Sequence, residues 1–170
     1  TVGIGAAARA GILVQDAESL ERARDVDLVV FDKTGTLTIG RPELREAIAF
    51  AGDESRLLAR AAAAQTGSEH PLGRALVEAA RARGLSLPPL ESFTALPGRG
   101  LEARVEGTLL LVGSRRLMGE RGIETGPLEE RAMAFEGEGL SVMWAADADA
   151  KTLLGLLAVG DSLRPGAAAA

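Results

Sequence analysis

The sequence has no cysteine and few aromatic residues, and each scarcity removes a class of function. Without cysteine there is neither a disulfide framework nor a thiolate metal site. Because only 3% of the residues are aromatic, the core must be built mainly from Ala, Leu, Val and Ile, and base-stacking or sugar-stacking surfaces are not expected. A formal net charge of -5 argues further against general nucleic-acid binding.

The sequence also has no long apolar run. Spanning a bilayer takes roughly 20 consecutive apolar residues, and residues 153–159 are too few. No apolar stretch follows the basic Arg9, so the start does not resemble a signal peptide. We therefore expect no direct insertion of this chain into a membrane.

The composition is that of a globular protein. The chain has 170 residues, of which 46% are hydrophobic and 25% charged, enough for one medium domain or two small ones. It starts at Thr1 rather than Met and stops in alanines 167–170, soon after a helix predicted to begin at Pro165. We expect it to be a segment of a longer protein.

The first part of the chain predicts alternating helices and strands. Helices are expected over residues 1–10 and from a Ser19 cap through Arg24. Residues 12–14 predict a short strand. Residues 28–31 are all apolar, the pattern of a parallel strand buried on both faces.

The middle of the chain predicts a helix pair followed by mostly antiparallel strands. Asp53 caps a helix that runs to about Gln65, and Pro71 opens a second helix that Gly84 ends. Shorter helices are expected after Ser114 and from Pro127. Strands are predicted over residues 44–50, 91–96, 101–105, 108–112, 140–146 and 151–159, with tight turns at 106–107 and 147–149.

This order of elements favours an α/β fold in which one domain is inserted into a loop of another. The outer domain is an incomplete Rossmann-like phosphate-transfer domain made of residues 1–38 and 156–170. The inserted domain, residues 39–155, is an α+β domain with a mostly antiparallel sheet and a helix pair.

Asp32 follows the predicted buried strand, at the end where open α/β sheets bind ligands. A carboxylate there can attack a phosphorus atom and form an acyl phosphate. Lys33 and Mg²⁺, held in part by Asp32 and Thr34, would offset the charge repulsion. Thr34, Gly35 and Thr36 can offer N–H groups and hydroxyls to phosphate oxygens. The alternative is that Asp32 only caps a turn.

The run Asp32-Lys33-Thr34-Gly35-Thr36-Leu37-Thr38 resembles the phosphorylation signature of the P-type ATPase family, and the resemblance covers essentially the whole chain. It implies that Asp32 accepts phosphate from ATP with Mg²⁺ as cofactor. It also implies a cytosolic, haloacid-dehalogenase-type region of an integral membrane pump, working with transmembrane and actuator domains. Thr34 stands where related hydrolases carry a second, acid–base Asp, so the phosphoenzyme should persist.

The run Ser68-Glu69-His70-Pro71-Leu72 resembles the nucleotide-domain signature of heavy-metal-transporting P-type ATPases. In that family the Glu and His contact or orient adenine, and we assign these roles to Glu69 and His70. From the residues alone, His70 fits a helix-capping or core residue better. The signature is most like the copper(I) branch, so Cu⁺ is the predicted ion, with no ligand for it in this chain.

Three glycines complete the predicted nucleotide site. In heavy-metal pumps a Gly-x-Gly lets the backbone approach the nucleotide, and this role falls to Gly98 and Gly100. Gly113 belongs to the family's next element. Ser114 stands where Asn is common but can still cap a helix. The following residues, Arg115 and Arg116, are either phosphate ligands or, preferably, a solvated helix face.

Asp161 and Arg164 resemble the hinge motif at which the chain re-enters the phosphorylation domain. The resemblance places them near the ribose or phosphates when the domains close, and the alternative is an N-cap and a solvated Arg. Since the segments that complete the family's Mg²⁺ site are not in the sequence, we expect ATP binding without turnover. A freestanding phosphatase or mutase, disfavoured by Thr34, and a non-catalytic nucleotide-binding module are the alternative functions.

Overall fold

The computed structural model describes residues 2–167, which divide into two units, 2–33 and 34–167. The first unit contains the helices α1 (Val2–Arg9) and α2 (Ala17–Ala23). Asp16, not Ser19 as predicted, caps α2, because its carboxylate accepts the backbone N–H of Ser19 at 2.6 Å. An aspartate caps as well as a serine, and here it precedes the helix by one residue.

The two strands predicted in the first unit are wrong. Residues 12–14 and 28–31 are irregular, and Leu28 and Val30 are 78% and 84% exposed. A buried parallel strand needs hydrogen-bonded neighbours and cover on both faces. The described part of this unit provides neither, so the apolar pattern before Asp32 does not produce a strand.

The second unit is built on a six-stranded sheet in the order β1-β6-β5-β4-β3-β2, with every neighbouring pair antiparallel. The order of strands in the sheet differs from their order in the chain, because β1 and β6, from opposite ends of the unit's sequence, pair with each other at one edge of the sheet. The strands are β1 (Thr38–Ala49), β2 (Leu90–Leu96), β3 (Gly100–Val105), β4 (Thr108–Gly113), β5 (Ser141–Asp147) and β6 (Thr152–Leu163).

Helices cover both faces of this sheet. Alternate residues of a strand point to opposite faces, and the core accordingly separates into two clusters. One cluster packs alanines and leucines of the predicted helix pair against the sheet, and the other surrounds the fully buried Trp144. The helices are α3 (Glu54–Gln65) and α4 (Pro71–Ala82) on the first face, and α5 (Arg115–Glu120) and α6 (Gly126–Gly137) on the second.

The locally encoded features of this unit are confirmed. The Asp53 carboxylate accepts the Ser55 N–H at 2.9 Å and caps α3, and Pro71 opens α4. The β3–β4 turn has positive φ at Glu106 and Gly107, 53° and 71°, as a type I′ hairpin requires.

The ends of the unit differ from the predicted boundaries. β6 runs on to Leu163 within the sheet, and the units separate after Lys33 rather than after Thr38. Assigning residues 156–170 to a phosphorylation domain stays a prediction. Residues 165–167 form a turn rather than the start of a helix, and residues 168–170 of that predicted helix lie outside the described residues. In the described part of the chain, no helix combines the length and apolarity needed to cross a bilayer.

Candidate functional site

A pocket of about 460 Å³ opens beside the helix pair of the second unit. The end of α3, the start of α4, the β2–β3 turn, the end of β4 and the start of β5 enclose it. Four of the five residues predicted to bind nucleotide line this pocket, although they come from three separate segments of the chain. They are His70, Gly98, Gly100 and Gly113.

His70 caps a helix, as one of its two predicted roles requires, and it lines the pocket. It is the N-cap of α4, and its Nδ1 accepts the Leu72 N–H at 3.3 Å. Its own backbone N–H donates to the Ser68 hydroxyl at 3.2 Å, which fixes the turn before the helix. Among the described residues Nε2 has no hydrogen-bond partner. The ring therefore has one nitrogen engaged by the helix and one available at the pocket.

Glu69 does not share this position. Its side chain is exposed and is not among the residues that line the pocket. The residue found there is Gln65, the last residue of α3, which is 6% exposed and whose side-chain amide bonds to no described residue. Its amide is therefore free to pair with a ligand at the pocket wall. It also offers a ligand both a donor and an acceptor.

Two glycines make the space that Gln65 and Phe93 occupy in the pocket. A Cβ on Gly73 would collide with the Gln65 Oε1 and lie 2.9 Å from its Cδ. A Cβ on Gly67 would lie 2.8 Å from the Phe93 ring. Gly73 is inside a helix, where glycine costs about 1 kcal/mol relative to alanine. That cost is offset by the room it leaves for the amide.

The three predicted glycines differ in what surrounds them. Gly100 and Gly113 face each other across β3 and β4, and a Cβ on Gly100 would lie 2.5 Å from the Gly113 Cα. The close approach of two strands therefore requires glycine at both positions. Gly98 has open space around it, and its φ of +70° suits glycine.

Ser114, which also lines the pocket, makes two hydrogen bonds that connect neighbouring elements. Its hydroxyl accepts the Leu117 N–H at 3.3 Å and caps α5, as predicted for a residue that replaces Asn. Its backbone N–H donates to the Arg99 carbonyl at 2.7 Å. The end of β4 is thereby bonded to the β2–β3 turn.

The arginines at the start of α5 are not part of the pocket. Arg115 is ion-paired with Glu129 and, at 3.0 Å, with Glu136, and hydrogen bonding to Glu136 raises the pKa of Arg115. Arg116 donates to Glu120 at 2.8 Å. Both fit the solvated or structural interpretation better than phosphate binding.

Asp161 and Arg164 join the start of β1 to the end of β6, away from the residues that line the pocket. The Asp161 carboxylate accepts the N–H groups of Gly40 and Arg41 at 2.8 and 3.0 Å. A hydrogen bond with Thr38, followed by these two, lowers the pKa of Asp161. Asp161 is therefore a strand residue rather than an N-cap.

Arg164 is not simply solvated. Its Nε donates to the Thr38 carbonyl at 3.0 Å and its Nη2 to the Gly35 carbonyl at 2.9 Å. Its own backbone N–H donates to the Leu37 carbonyl at 2.8 Å. Arg164 thus binds the second half of the run 32–38, and Asp161 binds the two residues at 40–41, just after it.

The motif itself crosses the division between the two units. Residues Lys33–Leu37 form one π-helical turn, in which the Gly35 N–H donates to the Thr38 hydroxyl at 3.2 Å. Asp32 is exposed. Asp32 and Lys33 are the last two residues of the first unit, and Thr34 and Thr36 belong to the second. The two predicted Mg²⁺ ligands therefore fall on different units. Among residues 2–167, no three His, Asp or Glu side chains are grouped to hold a metal ion.

Comparison with known proteins decides the family. Residues 26–170 match the haloacid dehalogenase-like hydrolases. The chain belongs to this family. It is 44% identical over 163 residues to a copper-exporting P-type ATPase of Legionella pneumophila, covering 96% of this chain and 22% of that protein. It is 42% identical over 170 residues to the copper-exporting P-type ATPase of Vibrio cholerae, covering 100% of this chain and 18% of that protein. The chain thus spans about a fifth of the length of these relatives.

Solved structures extend the similarity of this haloacid dehalogenase-like chain to its fold. A zinc-transporting PIB-type ATPase in its E2.Pi state is 36% identical with a TM-score of 0.78, covering 98% of this chain and 27% of that one. The N-domain of a copper-transporting P-type ATPase is 28% identical with a TM-score of 0.60, covering 71% of this chain and 99% of that one. The predicted resemblance to heavy-metal P-type ATPases is confirmed.

The family match begins ahead of Asp32 and includes both predicted hinge residues and the pocket. The α/β fold class of this haloacid dehalogenase-like hydrolase, with its mostly antiparallel sheet and helix pair, is likewise confirmed. The roles of the individual residues stay predictions. Sequence reasoning missed Gln65, although its spacing of four from the buried Ala61 and eight from Leu57 places it on the buried face of α3.

Proposed function

We propose that this chain is the ATP-binding and phosphorylation region of a P-type ATPase that transports a heavy-metal ion, Cu⁺, through an aspartyl-phosphate intermediate. The observation that carries the proposal is the single pocket that gathers His70, Gly98, Gly100 and Gly113. In the whole protein the chain would lie on the cytosolic side of the membrane and work with transmembrane and actuator domains.

The apolar half of the pocket suits an adenine ring. Phe93, Leu72 and Val112 give it flat and aliphatic walls. The Gln65 amide can pair with the ring's amino group and a ring nitrogen, and the His70 Nε2 can bond or stack at its edge. A mostly apolar pocket with a few polar groups that fix orientation is the usual construction of a small-molecule site. Gln65 therefore takes the position that sequence reasoning gave to Glu69.

The phosphorylation step uses the Asp32 carboxylate. One of its oxygens would attack the γ-phosphorus, the bond from that phosphorus to the bridging oxygen would break, and ADP would leave. Bound Mg²⁺ would neutralise charge on the phosphates, and the Asp32 carboxylate is an oxygen ligand of the type Mg²⁺ prefers, with Thr34 beside it in the chain. A threonine cannot act as general base near neutral pH, so the acyl phosphate would persist.

The freestanding phosphatase or mutase is not favoured. Such an enzyme needs rapid breakdown of the acyl phosphate, for which Thr34 lacks a titratable group, and the relatives named above are ion pumps. Copper as the ion rests on the same relatives. ATPase activity of the full-length protein that responds to Zn²⁺ but not to Cu⁺ would overturn that assignment.

Titration calorimetry with ATP tests the nucleotide site. We expect the intact chain to bind ATP, and His70→Gln and Gln65→Leu each to weaken binding about 2- to 10-fold, the value of one net hydrogen bond. Glu69→Gln is the matched control and should change affinity less than either, because Glu69 is outside the pocket. No ATP binding by the intact chain, or unchanged affinity in both pocket variants, would overturn the assignment.

A further inference from the structure

Arg99 is the one permanently charged side chain among the described residues that line the pocket. It lies in the β2–β3 turn, between Gly98 and Gly100, and its charge contrasts with the apolar side chains of Phe93 and Leu72. A nucleotide's phosphates carry several negative charges, and arginine binds phosphate with charge-assisted, often paired hydrogen bonds. The pocket therefore has a cation but, in this structure, that cation is engaged elsewhere.

Its partner is Glu120, at the end of α5. The Arg99 Nη1 donates to the Glu120 Oε2 at 2.9 Å, and the Arg116 Nε donates to the Glu120 Oε1 at 2.8 Å. The side chains of Arg99 and Glu120 are 42% and 34% exposed, and ion pairs at such positions stabilise weakly. If Arg99 left, Glu120 would keep Arg116, so exchange of the partner leaves no charge unpaired.

The backbone around Arg99 is held while its side chain is free to change partners. The Arg99 N–H donates to the Leu96 carbonyl at 2.9 Å, and its carbonyl accepts the Ser114 N–H at 2.7 Å. The close contact between Gly100 and Gly113 holds the same turn next to the end of β4. A swing of the guanidinium therefore requires no rearrangement of the pocket wall.

We propose that Arg99 is the phosphate-binding residue of this pocket, and that its guanidinium exchanges Glu120 for the phosphates of the bound nucleotide. The carboxylate of Glu120 occupies the guanidinium in the empty pocket and competes with the incoming phosphates. The pocket then distinguishes ATP from adenosine by charge at Arg99. This inference rests on the proposed nucleotide-binding function.

Calorimetric titrations of the intact chain with ATP and with adenosine test the exchange. Arg99→Gln should weaken ATP binding about 10-fold, the value of a charge-assisted contact, and leave adenosine binding within about 2-fold. Glu120→Gln should strengthen ATP binding several-fold because it releases the guanidinium, and the gain should vanish in the double variant with Arg99→Gln. Raising the salt concentration should weaken ATP binding by the original chain more than by Arg99→Gln.

Arg116→Gln is the matched control. Arg116 shares Glu120 as partner but is 76% exposed and outside the pocket, so ATP affinity should change by less than about 2-fold. Thermal unfolding of each variant checks the fold.

Two results overturn the inference while leaving the pocket assignment intact. One is ATP binding that Arg99→Gln does not change, and the other is an equal loss of ATP and adenosine binding in that variant. Failure of the original chain to bind ATP at all would remove the proposed function together with the inference.

Discussion

Gly100 and Gly113 bring two strands so close that neither residue can carry a side chain, and this contact forms one wall of the pocket. The effect of a glycine substitution here depends on what surrounds the new Cβ. Gly119, inside α5, has nothing within 4 Å of that position. The two sites therefore allow a comparison in which the same methyl group is added to a tight and to an open environment.

Gly113→Ala should lower the free energy of unfolding by about 1–3 kcal/mol, the usual cost of overpacking. Gly119→Ala is the control and should be neutral or stabilising by up to about 1 kcal/mol, since alanine is the better helix former. Urea unfolding followed by circular dichroism measures both. Equal effects of the two substitutions would contradict the close contact.

The site residues that sequence predicted and those that it missed differ in kind. His70, Gly98 and Gly113 stand in recognisable runs, so each could be named individually. Gln65 ends a run of alanines, and its helical spacing indicates burial, but that it lies at a cavity depends on the neighbouring helix that carries Gly73. Arg99 is the variable residue of a Gly-x-Gly run. Its importance depends on Glu120, which lies 21 residues away.

At the scale of elements, the pairing of β1 with β6 depends on a side chain. The register of the two strands shifts between Thr38 and Pro42, where strand hydrogen bonds are interrupted. The Asp161 carboxylate accepts the N–H groups of Gly40 and Arg41, and Pro42 has no N–H to satisfy. The Asp161 side chain in this way pairs two N–H donors of the irregular strand start.

Asp161→Asn should destabilise the protein near neutral pH and make less difference in acid. The folded-state pKa of Asp161 is lowered, first by Thr38, so its carboxylate stabilises the fold above the ordinary aspartate pKa. That stabilisation is lost as the pH falls below about 4 and through the lowered folded-state value. Urea unfolding at pH 7 and at pH 3 gives the two differences in free energy.

Ser162→Ala is the control for this pH dependence. Ser162 lies next to Asp161 in β6. Its hydroxyl accepts a hydrogen bond from the Arg45 Nη2 at 2.6 Å, but it has no group that titrates in this range. The difference between this variant and the original chain should be similar at both pH values. A difference for Asp161→Asn that grows on acidification would contradict the role of the carboxylate.

Elements with local signals were predicted well, and elements that depend on partners were not. Asp53, Pro71 and the Glu106-Gly107 turn encode their structures in a few neighbouring residues. Residues 28–31 have the composition of a buried strand, but a strand forms only where other strands pair with it. β1 starts six residues earlier than predicted, because β6 pairs with it across Gly40 and Pro42, residues that disfavour a strand.

At the scale of the whole molecule, the second unit has the full structural support that its fold needs. Both core clusters consist of residues between Leu44 and Val159, and the sheet is complete within residues 38–163. The first unit instead exposes large apolar side chains. The most exposed are Leu13, Leu28 and Val30.

A chain shortened to residues 34–170 should therefore fold and keep its affinity for ATP within about 2-fold, because no pocket residue is removed. It should also associate less at high concentration, since exposed apolar surface favours association. Calorimetry and light scattering measure the two properties. Loss of cooperative unfolding on removal of residues 1–33 would contradict the independence of the second unit.

In the full-length protein, Asp32→Asn should abolish acid-stable labelling from γ-labelled ATP, because an amide is too weak a nucleophile to form the acyl phosphate. ATP affinity should be retained, since the pocket residues are unchanged. Radiolabelling after acid quenching is the measurement. Labelling that persists in this variant would place the nucleophile elsewhere.

The central claim is that adenine nucleotide binds between α3, α4 and the β2–β3 turn. Titration of the ¹⁵N-labelled chain with ATP, followed by backbone amide shifts, tests it most directly. The account predicts the largest shifts in residues 65–73, 96–101 and 112–114. A second pocket of about 260 Å³ lies beside the first half of α3, near Asp53, Arg56 and Arg60. Shifts clustered there, or the absence of any, would contradict the account.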